Sequence, residues 1–204
     1  MINNIELIKP LLNFSEVGDF YMLYIFKRKK DQSTDKANHQ SVRTIKTYSI
    51  DSIEYLEKRY DEIIQLCEVF KARAYIHIQK QNHKDVAMNM ITEIVTRIQS
   101  GKINQKHVFD SVVGQLKTNE KRWIVDVDNV DFYELKPIIG FIDSLRPEGE
   151  KVEAIIPTKN GFHLITKRFD VKEFEKQYPK IDIQKKNPTL LYYPNSLDNE
   201  NNIK

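Results

Sequence analysis

One cysteine, Cys67, is the only thiol in this 204-residue chain. A single thiol excludes an internal disulfide and a cysteine-based zinc cluster. Cys67 lies among apolar residues of a predicted helix and reads as core packing. No apolar run approaches the roughly 20 residues that a membrane span needs. The opening Met1-Ile2-Asn3-Asn4-Ile5-Glu6 lacks the basic and apolar regions of a signal peptide. The expected location is therefore cytoplasmic, or an equivalent reducing compartment, with no membrane partner. Internal repeats and long low-complexity stretches are also missing. Charge of one sign is scarce: 30% of residues are charged, yet the net charge is only +3. That balance excludes neither a local basic cleft nor a plain enzyme.

What is present is a hydrophobic fraction of 40%, enough for a real core. The length suits one domain, or one domain with a small appendage. Asp19 to Phe26 is aromatic and β-branched and predicts a buried strand. The basic run Lys27 to Lys30 follows and reads as a solvated hairpin tip, the alternative being a charge grip on a polyanion; the polar run Asp31 to Gln40 reads as a mobile loop. Ser41 to Ile50 predicts a returning strand that buries Val42, Ile45 and Tyr48. Asp51 or Ser52 can cap a helix to about Phe70. Ala72 to Ile78 alternates as a strand, and His83 to Gln99 and His107 to Leu116 predict two helices. Arg73 on that strand reads as a solvated surface residue, the alternative being that it faces a bound ligand.

The second half is clearer. Strands are expected over Arg122 to Val127, Val152 to Ile156, Gly161 to Thr166, Ile181 to Ile183 and Thr189 to Tyr193. Helices are expected over Tyr133 to Leu145, with Pro137 in the first turn, and over Val171 to Gln177. The order β-α-β-β-α-β predicts an α+β fold, a split βαβ sheet with helices on one face. The expected division is an N-terminal α/β unit over 1–118, a split βαβ unit over 119–194 and a frayed polar tail over 195–204.

Three motifs in this half carry chemistry. Asp126-Val127-Asp128 ends an apolar strand. Residues two apart on a strand share a face, so both carboxylates project together. Two such charges repel and invite a hard cation such as Mg²⁺. The plainer alternative is one capping and one solvated carboxylate, although Asp131 is better placed to cap the next helix. Thr158-Lys159-Asn160-Gly161-Phe162-His163 joins a glycine turn, a cation and a histidine that opens an apolar strand. A histidine there can donate to a phosphate oxygen, or be a satisfied core residue. Asp182 lies between Ile181 and Ile183 and points away from both, toward a site or toward solvent. A third carboxylate joining the pair would complete a two-cation site for phosphoryl transfer.

At these residues the chain resembles the archaeo-eukaryotic primase superfamily, the primase-polymerases, in its small phage- and plasmid-type members. The family's acidic DxD, Ser/Thr-Gly-x-x-Gly-x-His and hydrophobic-Asp motifs look like Asp126-Val127-Asp128, Thr158-Lys159-Asn160-Gly161-Phe162-His163 and Ile181-Asp182. The resemblance spans Arg122 to Pro194. It implies an RRM-like catalytic sheet, with the N-terminal half as an accessory α/β unit. It also implies Mg²⁺ or Mn²⁺ on Asp126, Asp128 and Asp182, and a nucleoside triphosphate on His163, Lys159 and Gly161, with Lys167 a weaker candidate. The implied reaction is attack of a 3′-hydroxyl on the α-phosphate over a nucleic-acid template and primer, with a helicase or other replication protein as a possible partner. Lys159 stands where many members carry glycine. A non-catalytic nucleic-acid-binding module and a metal-dependent nuclease are the alternatives.

Overall fold

The computed structural model describes residues 1–28, 31, 42–102, 104, 107–115 and 121–197. In chain order its elements are β1 (Ile2–Asn3), α1 (Ile5–Ile8), β2 (Asp19–Lys27), β3 (Arg43–Ile50), α2 (Ile53–Phe70), β4 (Arg73–Ile76), β5 (Gln81–Asn82), α3 (His83–Gln99) and α4 (Val108–Gln115). Then come β6 (Trp123–Asp128), α5 (Leu135–Ser144), β7 (Val152–Pro157), β8 (Gly161–Thr166), α6 (Val171–Gln177), β9 (Asp182–Gln184) and β10 (Thr189–Tyr193). The chain is mixed α+β, with two open antiparallel sheets. No described helix is long and apolar enough to cross a membrane.

The first sheet runs β1-β10-β4-β2-β3, with β5 paired to the start of β2. Strand β2 is apolar on both faces because both are covered. Tyr21, Leu23 and Ile25 pack toward α1 and α2, and Phe20 and Met22 toward α3 and α4. Helix α2 starts where expected: the Ser52 hydroxyl accepts the Tyr55 N–H at 3.1 Å, a normal N-cap bond. Its inward stripe of Leu56, Ile63 and Cys67 is fully buried. Burial also pushes the Cys67 thiol up to about 12, which leaves it inert as a nucleophile.

The second sheet runs β7-β8-β6-β9. Val125, Val127 and Leu164 pack beneath α5 and α6, while Ile124, Ile156 and Ile165 point the other way into the core shared with the first sheet. Alternation along β6 and β8 therefore divides the residues between two cores. Asp131 caps the turn into α5: its Oδ1 accepts from the Tyr133 and Glu134 amides, and Glu134 accepts the Asp131 N–H in return.

Several expectations need correction. Thr189–Tyr193 does not extend the second sheet. It inserts between β1 and β4, so the 119–194 segment lends its last strand to the first sheet. All five residues of β10 are buried, which only the centre of a sheet allows. The tail also does not fray at once: Asn195–Leu197 forms a 3-10 turn, and Leu197 is buried against Tyr75, Leu190 and Tyr193. Val42 is exposed rather than buried; Ile45 is half-buried and Tyr48 buried. The expected mobile loop after Asp31, and Lys29 and Lys30 of the basic run, lie outside the described residues.

Strand β8 runs close against the β6 backbone at Gly161. A Cβ there would lie 2.0 Å from the Val127 carbonyl oxygen and 2.9 Å from the Asp128 Cα. Backbone on both sides leaves nothing flexible to yield. Gly161→Ala should destabilise by about 2–3 kcal/mol and lower Tm by roughly 5–10 °C. Gly140, inside α5 with nothing near its missing Cβ, is the control. Gly140→Ala should stabilise by about 0.5–1 kcal/mol. Calorimetric melting of both variants checks the pair, and equal melting temperatures would contradict it.

Candidate active site

Register assembles the site. Asp126 on β6 is directly opposite His163 on β8 and, on its other side, Asp182 on β9. Directly opposed residues project to the same face. Asp126, His163 and Asp182 thus form one rung across three strands. Asp128 and Gln184 flank the rung on that face, two residues along their strands. The face is graded along β6: Ile124 is in the core, Asp126 is half-buried and Asp128 is exposed.

The hairpin between β7 and β8 shapes the upper end. The Thr158 N–H donates to the Gly161 carbonyl at 2.8 Å, closing the turn. The Asn129 N–H donates to the Asn160 carbonyl at 2.7 Å, with Asn129 in the left-handed region at φ 59°. Asparagine tolerates that conformation better than most residues. The contact ties the end of β6 to the turn, so Asp128 and Lys159 keep a fixed relation.

The carboxyl of Asp126 is held in an unfavourable setting. Burial, then the charges of Asp128 and Asp182, lift it to about 6, against a partial offset from the Gln184 amide that donates to Oδ2 at 3.0 Å. His163 is 8% exposed, and burial depresses its imidazole to about 4. It is neutral at physiological pH. Its Nε2 stands 3.5 Å from Asp126 Oδ1, a contact too long for a good hydrogen bond and, with a neutral ring, no ion pair. Its Nδ1 is 2.9 Å from the hydroxyl of buried Thr189 on β10, which orients the ring.

This face looks across a cavity of about 510 Å³ onto the first sheet. Asp126, Asp128 and His163 line one side and Arg73, Tyr75 and Leu190 the other; Lys159 reaches from the β7–β8 turn toward Tyr193, and Arg28 lies at the rim. Arg73, a surface residue by its sequence pattern, is only 4% exposed. Its Nη2 pairs with Asp31 at 2.7 Å and its guanidinium lies 4.9 Å from the Tyr193 ring centre. Lys159 lies 5.1 Å from the same ring centre and donates to the Tyr193 hydroxyl at 2.7 Å. The cavity is therefore bipolar, with carboxylates on the second sheet facing cations gathered about Tyr193. Among the described residues, buried Arg73 Nε has no hydrogen-bond partner. A buried donor left unmade on a cavity wall suits an anionic ligand.

Not every expected residue lines the cavity. Asp182 is exposed on the β9 edge and reaches the site through its charge on Asp126. Gly161 makes room for β6 rather than facing a ligand. Lys167 lies past the end of β8, exposed and away from the cavity. Gln184, Arg73 and Tyr193 belong to the site although no motif marks them. Gln184 is detectable as the residue two beyond Asp182 on the same strand face. Arg73 and Tyr193 carry only weak local signals, a strand arginine and an aromatic near the motifs that each read first as structural, because both belong to the other sheet.

Among the described residues, no three His, Cys, Asp or Glu side chains are drawn together as a ready-made ion site. The donor chemistry nevertheless fits a hard divalent cation: Asp126, Asp128 and Asp182 offer only carboxylate oxygens, and their mutual repulsion is what a cation relieves.

The raised Asp126 carboxyl costs the fold stability. It is neutral in folded and unfolded chains well below its ordinary 3.8, and the folded state loses stability as pH rises from there to about 6. Asp126→Asn keeps the shape and an acceptor for Gln184. The variant should match the native chain near pH 3.5 and exceed it in stability by on the order of 1–2 kcal/mol at pH 8. Urea unfolding across that range without added metal checks the sign; a variant less stable at pH 8 contradicts it.

No family model, curated protein or solved structure matches the chain.

Proposed function

We propose that the bipolar cavity is a nucleotidyl-transfer site of the primase-polymerase kind. The observation that carries this reading is Asp126, Asp128 and His163 on one wall of a single cavity, with Asp182 beside Asp126 in the rung, facing the cations Arg73 and Lys159 near Tyr193. Opposed carboxylates and cations are what a metal-bound triphosphate requires. The order β7-β8-β6-β9, with α5 and α6 as the crossovers, supports an RRM-like split βαβ sheet for the catalytic unit.

In this reading Asp126, Asp128 and Asp182 hold Mg²⁺ or Mn²⁺. Such ions, when bound, neutralise the triphosphate oxygens and acidify the attacking hydroxyl. The chain's own residues orient the reactants. The Thr189 hydroxyl donates to His163 Nδ1, which leaves the Nε2 proton for a phosphate oxygen. A neutral histidine suits this role because its donor does not depend on pH above its depressed pKa. Lys159 and Arg73 take the outer phosphates, and Tyr193 keeps both cations in place. The oxygen of a primer 3′-hydroxyl, its proton passing to solvent water, bonds to the α-phosphorus as the bond to the bridging oxygen breaks, and pyrophosphate leaves. Template and primer are nucleic acid, and a helicase or other replication protein is a fitting partner.

Labelled-nucleotide incorporation on a primed template, with Mg²⁺ and Mn²⁺ varied, tests this. Asp126→Ala and Asp182→Ala should each reduce incorporation by roughly 100-fold or more, and His163→Ala should chiefly weaken triphosphate binding. Strand cleavage in place of extension would identify a nuclease. Template binding that survives Asp126→Ala, with no incorporation by the native chain, would identify a binding module. Clean protein that binds neither nucleotide nor template would sink the reading altogether.

A further inference from the structure

A second concavity of about 650 Å³ lies at the opposite end of β6 from the carboxylates. Five cations, Lys121, Arg146, Arg168, Lys185 and Lys186, surround it against one carboxylate, Asp170. That carboxylate is committed to capping α6, where its Oδ1 accepts the Lys172 and Glu173 amides. Among the described residues, no acidic side chain pairs with Lys121, Arg146, Arg168 or Lys185. The concentration of positive charge therefore stands in contrast to a chain whose net charge is only +3.

The wall of this groove is Trp123, the only tryptophan in the chain. Phe169 supports it edge-on at 5.5 Å between ring centres, and the Lys185 ammonium lies 5.2 Å from its ring centre. One indole face is thus covered by a flexible cation rather than by core. The groove is a built feature: the Gln79 side chain donates to the carbonyls of both Arg122 and Lys185, tying the start of β6 to the segment after β9. That segment joins the two concavities. Gln184 lines the carboxylate cavity and bonds Asp126, whereas Lys185 and Lys186 line the groove. Trp123 is three residues from Asp126 along β6, roughly 10 Å, and projects from the opposite, helix-covered face, so the path between the two concavities runs round the β9 edge of the sheet.

We infer that this groove binds a single strand of nucleic acid, with phosphates on Arg146, Arg168 and Lys185 and a base stacked on Trp123, and leads that strand toward the carboxylate cavity. Repeated cations beside a flat aromatic face match the alternation of phosphate and base along an unpaired strand. An anionic membrane surface fits poorly, since the charges ring a hollow rather than a projecting apolar patch. The direction of the strand toward Asp126 rests on the nucleotidyl-transfer reading; the binding itself does not.

The test is equilibrium titration of the full chain with a labelled 16-nucleotide oligothymidylate in EDTA, read by anisotropy and by Trp123 fluorescence. Binding should quench the tryptophan and weaken with salt. The double variant Arg146→Glu/Arg168→Glu should bind at least about 10-fold more weakly, with a log–log salt slope shallower by about 0.7 for each phosphate left unneutralised. Trp123→Phe should keep much of the affinity and Trp123→Leu lose about 10-fold, with unchanged melting temperatures establishing that both are folded. Unaltered affinity in the charge-reversed variant, binding without quenching, or equal binding to phosphatidylglycerol vesicles would overturn the inference. Nucleotide incorporation distinguishes the two proposals: a groove that binds the strand in a chain that never incorporates removes the transfer reading alone. Incorporation that persists at native efficiency in the charge-reversed variant removes the groove alone.

Discussion

Contact between Gly161 and the backbone of β6 is the constraint on which the site depends. A hydrogen there, in place of a methyl, lets β8 pair closely with β6 up to Asp128. That pairing sets His163 opposite Asp126, and the β6–β9 register sets Asp182 opposite it on the other side. A slip of one residue in either register would turn Asp126 and its partner to opposite faces, one of them into the core beneath α5 and α6. The register is protected because Val125, Val127 and Leu164 are buried on that helical side. Apolar packing on one face thereby determines which polar groups meet on the other.

The same arrangement explains why the site is energetically uncomfortable. Asp126 is half withdrawn from water with two carboxylates near it, and His163 is buried enough to stay neutral. On the facing sheet, Arg73 is buried with one donor unmade. Groups of this kind are retained where a ligand completes them, and proteins commonly give up stability for such a site. The proposed triphosphate, held with its cations, would answer both walls at once. Positive charge meets the crowded carboxylates, and phosphate oxygens meet Arg73 and Lys159.

Beyond the cavity, charge is distributed unevenly over a nearly neutral chain. The cations about Trp123 and those about Tyr193 lie at the two ends of β6, joined by the segment from Gln184 to Asn187. A reaction between a small triphosphate and a long polyanion needs two such places, one for each reactant. The proposed strand groove and the proposed transfer site meet that need on the two faces of the second sheet, joined round its β9 edge.

Much of this is legible in the amino-acid order. Period-two alternation places Asp126 and Asp128 on one face, and Asp182 away from its isoleucines, because strand geometry is local. The cap at Ser52, the bounds of α3 and α6 and the Cys67 burial follow from spacing alone. Tertiary structure decided the rest. It moved Thr189–Tyr193 into the other sheet, and so brought Thr189 to His163 and Tyr193 to Lys159. It buried Arg73, which has the pattern of a surface cation, because β4 is enclosed by β10 and β2 and its side chain ends against Tyr193 and Asp31. It gathered Lys121, Arg146, Arg168 and Lys185 around Trp123 from segments far apart in the chain. Which face a residue takes is set by its neighbours one and two positions away. What that face meets is set by pairing between distant strands, and no local pattern carries that information.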